Sequence, residues 1–272
     1  MLRKLLKHEF RATARIMLPL YLVLLVTAVG ANITTQGLSN SSYQILRLLG
    51  ALLAMAFGIA IIGVCVMSLV VMVQRFYKNL LGDEGYVMLT LPVNLHQQVW
   101  SKLIVSAVWF AATFLAVVLA ALMVSFNVGS LTAFFRGIGE LLEQLTAYYA
   151  LNGAAMAVEF VALCFFGCCA MCLHFYAALA VGHSFPTHKM AWSVLWFFVF
   201  SFATQFLFGA AMVVLDETGL AEWMFRTVDA WVLTPMAQMH LAFGMMIVLC
   251  IVYGAIFYGV TVAFLKRRLN LE

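Results

Sequence analysis

The chain has 272 residues, of which 65% are hydrophobic and 10% charged, whereas soluble globular domains carry about 25% charged residues. That length would ordinarily suggest one or two soluble domains, yet no polar connection between the apolar stretches is long enough to form a catalytic domain. The net charge of +4 belongs to a few short connections and reads as a membrane face; it excludes a nucleic-acid footprint.

Six apolar stretches run over about residues 16–34, 46–73, 103–126, 152–181, 190–215 and 239–265. Each suffices to cross a bilayer, since about 20 residues at ~1.5 Å rise match a hydrocarbon core of ~30 Å. Lipid offers no partner to an open backbone amide, so the spans must be helices. The expected fold is an all-α membrane protein whose residues 1–272 form one six-span transmembrane domain.

Charge sets the expected orientation, because Lys and Arg collect in cytoplasmic loops. With both termini cytoplasmic, the inner segments hold Arg3, Lys4, Lys7, Arg11, Arg15, Arg75, Lys78, Lys102, Lys189, Lys266, Arg267 and Arg268. The outer ones hold Arg47, Arg136 and Arg226, while Glu140, Glu143, Asp216, Glu217, Glu222 and Asp229 all fall outside. The expected location is the cell membrane.

Residues 1–15 read as an amphipathic elbow helix. Leu2, Leu5, Leu6, Phe10 and Thr13 form one side, and Arg3, Lys7 and Arg11 repeat on the other, suited to anionic lipid at the inner surface. A cytosolic extension of the first span fits the same periodicity, and Pro19 allows a bend. Ala28-Val29-Gly30 loosely resembles a signal-peptide cleavage site, but the apolar run exceeds the usual core of about 7–15 residues.

The second span carries Gly50, Ala54 and Gly58, the third Ala112, Ala116 and Ala120, and the sixth Ala255, Gly259 and Ala263. Such small-residue stripes serve packing within one subunit and subunit interfaces alike. Between the second and third spans, residues 74–102 form a cytoplasmic loop. There Asp83 can cap a short helix through Leu89, with Asp83 and Glu84 at its positive end. Pro92 stops that helix, and Asn94 can cap the next. Tyr86, Val87 and Leu89 make it more apolar than a solvated turn requires, which implies a partner.

Outside, Gly139 to Tyr149 is amphipathic. The fourth span holds Glu159, Cys164, Cys168, Cys169, Cys172 and His174. Cys169 and Cys172 form a CxxC, but His174 lies one residue beyond a haem-attachment position. Cys164, Cys168 and Cys172 share a helical face that could offer a soft metal site; packing explains them better, since a free Cys behaves as a small hydrophobe, and no metal site is expected. Glu159 costs about 2.5–3.5 kcal/mol on insertion scales, which marks it as a candidate for the substrate path or gating. His174 is ~22 Å further along the helix, so a proton relay would need other spans. All six cysteines fall within spans. His183 and His188 sit in a short inner loop without carboxylates to complete a metal site. Residues 216–238 interleave Trp223, Phe225, Val228 and Trp231 with Glu222, Arg226 and Asp229, the pattern of a partly re-entrant outer helix or an interfacial anchor.

The loop resembles that of the permease subunits of type-2 ABC transporters. Glu84-Gly85 precedes the short helix, Thr90-Leu91-Pro92-Val93 and Asn94 follow, and Lys102-Leu103 stands at the mouth of the third span. The chain departs with Tyr86 where Thr is usual and Ser101 where Gly is usual. The resemblance implies that Asp83, Glu84, Gly85, Tyr86, Leu89, Pro92 and Val93 couple the chain to separate cytoplasmic ATPase subunits. It also implies a second permease subunit, as a homo- or heterodimer, and ATP-driven transport, expected to be export; a path lined by Phe, Met and Trp would suit an amphipathic or hydrophobic substrate, although the same residues also suit lipid. No GxxxxGK[ST] loop occurs, so the chain is expected to be no enzyme and to hold no cofactor, with ATP and Mg²⁺ on the partner. An ion-coupled secondary carrier is the alternative. An intramembrane enzyme is weaker: Glu222 to Arg226 resembles half of a prenyl-protein protease motif, and no HExxH or GxSxG appears.

Overall fold

A computed structural model describes residues 2–34, 37, 43–82, 94–124, 132–133, 136–140, 143–144, 153–231 and 235–267. Its helices are α1 (Leu2–Ile33), α2 (Gln44–Phe76), α3 (Leu95–Val124), α4 (Gly153–Gly182), α5 (Lys189–Glu217), α6 (Leu220–Trp231) and α7 (Pro235–Arg267). Among the described residues, six helices of 29 to 38 residues are long and apolar enough to cross a membrane, the architecture of a multi-pass membrane protein. They match the six stretches legible in the sequence.

The chain forms two compact units, Met1–Arg75 with Val93–Glu140, and Phe76–Pro92 with Leu141–Glu272. In the first, α1 buries Glu9, Thr13, Met17, Leu24, Ala28 and Ala31, a stripe recurring every one or two turns on one helical face. Met17 packs with Val71, Met72, Val105 and Trp109, and Leu24 and Ala28 pack with Val64, Ala116 and Ala120. The third-span alanine stripe is therefore filled from within the chain. Ala54, Gly58, Ala255, Gly259 and Ala263 of the other two stripes are exposed in the single chain.

Residues 2–15 are the first four turns of α1 and continuous with the first span, so the alternative reading of that segment describes its secondary structure. Arg3, Lys7 and Arg11 lie exposed on the face away from Glu9 and Thr13. The loop expected from Gln74 begins later. After Phe76 the chain makes a π-helical turn, Tyr77–Leu81, closed where the Gly82 N–H donates to the Tyr77 carbonyl at 2.9 Å. Phe76 and Leu80 are fully buried, and that apolar burial carries the helical path past the charges at Arg75 and Lys78. The next helix starts at Leu95, with the Asn94 carbonyl accepting from the Gln97 and Gln98 N–H groups.

In the second unit, α4 and α5 form an antiparallel hairpin joined by residues 183–188, the last of which, His188, has φ +51°. Gly182 lies against Ser193 so closely that a Cβ would overlap its backbone nitrogen and hydroxyl. Gly254 of α7 allows a similar but looser approach, 3.7 Å from its missing Cβ to the Ala170 Cα. α5 otherwise buries none of its side chains within the chain, leaving Phe198, Phe202, Phe206 and Phe208 exposed. α6 follows a turn at Gly219, φ +67°. Its Glu222–Arg226 pair, 3.7 Å apart and about four-fifths exposed, contributes little to stability.

Gly182→Ala is expected to destabilise the detergent-solubilised protein by about 1–3 kcal/mol through overpacking. Gly259→Ala, which meets nothing within 4 Å, should leave the thermal unfolding midpoint near its original value.

Candidate functional site

The proposed coupling residues Asp83, Glu84, Gly85, Tyr86, Leu89, Pro92 and Val93 lie outside the described residues. The flanks of their loop are described, and each flank is anchored by buried side chains. A loop can pass a displacement to the helices only if its ends are held.

At the entry flank, Phe76 stacks on Tyr176 of α4, ring centroids 3.9 Å apart and planes within 7°. Tyr77 packs at 5.1 Å from the His183 ring. His183 is buried and its Nδ1 lies 2.9 Å from the Leu179 carbonyl and 3.3 Å from Ser193 Oγ. A carbonyl only accepts, so Nδ1 carries the proton. Ser193 gives its own hydrogen to the Lys189 carbonyl. Burial pushes the His183 imidazole below its ordinary pKa; the hydrogen bond to Leu179 opposes the shift, and the nearby Lys189 charge adds to it.

At the exit flank, Lys102 Nζ lies 2.8 Å from Glu9 Oε1, with side chains 4% and 6% exposed. One turn along α1, Thr13 Oγ1 accepts from Trp109 Nε1 at 2.7 Å. Further along, Tyr21 OH meets Thr113 Oγ1 at 2.8 Å, and Asn32 Nδ2 donates to the Val124 carbonyl at 3.0 Å. The partners lie 93, 96, 92 and 92 residues apart. A near-constant offset means that α1 and α3 run parallel, as the first and third spans of an alternating chain must.

The second unit repeats the pattern between α4 and α7. Glu159, the candidate path or gating residue, receives both carboxylate contacts from His240 Nδ1 at 2.7 Å, with the side chains about one quarter exposed. Thirteen residues along α7, Tyr253 OH lies 2.7 Å from His174 Nδ1. On the other side of that ring, Nε2 is 3.2 Å from Ser201 Oγ and 3.4 Å from the Phe197 carbonyl. Ser201 donates to the same carbonyl at 2.8 Å. The carbonyl only accepts, so Nε2 carries a proton, and the His174 ring joins α4, α5 and α7.

Among the described residues, no three of His, Cys, Asp and Glu come together as a metal site. Cys164 is exposed, whereas Cys172 is buried. Comparison with protein-family models, with curated proteins and with solved structures finds no match. Sequence reasoning singled out Glu159 and Lys102 but neither of their partners. His240 lies at the margin of its apolar stretch, and Glu9 sits among basic residues. Its spacing of four and eight residues from Thr13 and Met17, along one helical face, is the signal.

Glu9→Leu should cost about 3–5 kcal/mol by removing the carboxylate that balances a buried ammonium, while Glu9→Leu with Lys102→Met should recover most of that loss. Thermal unfolding in detergent checks both. His183 gives a separate expectation. Its folded pKa lies below its unfolded value of about 6.5, so its neutral form supports the fold fully above that pH. Stability falls as pH drops from there through the folded pKa, because the unfolded chain binds the proton more tightly. The unfolding midpoint should fall between pH 7 and 5, and less so in His183→Gln.

Proposed function

We propose that this chain is the permease subunit of a type-2 ABC transporter, paired with a second permease subunit and two cytoplasmic ATPases, exporting an amphipathic or hydrophobic substrate. The observation that carries the reading is the sequence Glu84-Gly85, Thr90-Leu91-Pro92-Val93 and Lys102-Leu103, set between the second and third of six membrane-length helices. Its position supports the reading as well. The loop falls on the side rich in Lys and Arg, where ATP is found.

The held flanks agree with a coupling role. Phe76 and Leu80 are fully buried before the loop, and Lys102 is buried in an ion pair after it. A segment that only linked two spans would need neither. In this mechanism the short helix from Asp83 to Leu89 docks on the ATPase through Tyr86 and Leu89. ATP-driven closure then displaces the loop, and its flanks pass the displacement to α2 and α3. No ATP chemistry falls to this chain; ATP and Mg²⁺ bind the partner.

A second reading is an ion-coupled carrier, favoured by Glu159–His240, an acid–imidazole pair between two spans. Against it, His174 and Tyr253 are the next polar pair along α4 and α7, about 20 Å away. A proton relay spans no such gap without further donors. Transport that followed an ion gradient and survived loss of every ATPase would favour the carrier.

Purification of the tagged protein from its native host in mild detergent should recover a stoichiometric ATPase. Leu89→Asp should abolish that recovery while membrane insertion stays intact. Recovery of a stable permease without any ATPase would refute the reading.

A further inference from the structure

We propose that the Glu9–Lys102 ion pair locks α1 to the start of α3 in one axial register, so that a displacement of the coupling loop moves the N-terminal helix with the third span. The inference rests on the permease reading, and adds α1 to the parts that the ATPase moves. It makes Glu9 a positioning residue acting through Lys102, and the N-terminal turns more than a surface anchor.

The choice of chemistry carries the argument. For stability alone an apolar pair would hold two helices as well as a buried ion pair, because the charges must be desolvated before they attract. What an ion pair supplies is register. Apolar faces such as Met17 against Val105 and Trp109 slide by a fraction of a turn at little cost. Sliding a buried carboxylate off its ammonium separates opposite charges in a medium of low dielectric. The next rung, Trp109 Nε1 to Thr13 Oγ1 at 2.7 Å, is a second directional bond with the same axial preference. Lys102 lies eight residues after Asn94, in the same helix as the loop's exit. Any axial push on that exit reaches Glu9 through little more than two turns of α3.

The test uses the complex of the permease with its co-purified ATPase. A cysteine is placed at the exposed position Arg3, and its labelling by a water-soluble maleimide is compared with and without ATP and vanadate. The expected result is a nucleotide-dependent change in labelling rate that is lost in E9Q and in the E9L/K102M pair, and regained in the charge-swapped E9K/K102E. The E9L/K102M pair restores stability without the ionic register, so retention of the full change there overturns the proposal. A second measurement needs no substitution within the pair. Spin labels at Arg11 and Asn94, both exposed, should keep one separation in the nucleotide-free and trapped states, and a changed separation overturns the lock. If no ATPase co-purifies with the unaltered permease, the permease reading fails and takes this inference with it; if the ATPase is present and labelling does not respond to nucleotide, the inference alone fails.

Discussion

Water cannot reach a polar group between apolar helices, so each backbone amide in a span bonds along its own helix and each polar side chain must find a partner inside the protein. Two kinds of solution occur. Thr27, Ser68 and Thr261 bond back to carbonyls three or four residues earlier. Those bonds are local and specify no neighbour. Glu9, Lys102, Trp109, His174, Tyr253, Glu159 and His240 instead meet partners on another helix. These cross-helix bonds select which helices are neighbours and at what height.

The selection has a regular form. α1 pairs with α3 at offsets of 92 to 96, and α4 with α7 at 79 to 81. Each pair is parallel and separated in the chain by at least one span running the other way. Apolar packing alone would not fix such heights, because lipid tails are as apolar as Leu and Val, and the hydrophobic effect does not drive helices together inside a bilayer. Close approach through small residues adds to the polar rungs where the sequence allows it, at Gly182 on Ser193 and at Ala116 and Ala120 beside Leu24 and Ala28.

The spans were legible because transfer of apolar surface dominates every local preference, and their observed ends lie within about four residues of the hydropathy boundaries except at the starts of α1 and α3, which begin well before the apolar stretches, and at the end of α2. There the π-helical turn at Tyr77–Leu81 continues past Arg75 and Lys78, where charge argued for a loop. Burial of Phe76 and Leu80 outweighed the two cations, of which Lys78 remains exposed. Glu159 was legible because an acid stands out in an apolar span. Its partner was not, since pairing between residues 81 apart is a tertiary fact with no local signal. Glu9 is obscured for a different reason. The basic face dominates the periodicity of residues 2–15, and a single acid on the opposite face looks like part of a charged segment. Nor could spacing show which small-residue stripe packs within the chain, as all three have the same form.

The two flanks of the loop are held by unlike forces, and the difference bears on how a push would travel. Phe76 on Tyr176 and Tyr77 beside His183 are ring contacts, whose energy changes slowly with small offsets, since offset stacking remains favourable over a range of separations. Lys102 on Glu9 is a buried charge contact at 2.8 Å, whose energy changes steeply once the charges part in a medium of low dielectric. On the permease reading proposed above, a compliant entry and a stiff exit would send a movement imposed on the loop to α3, and through Glu9 to α1, more than to α2.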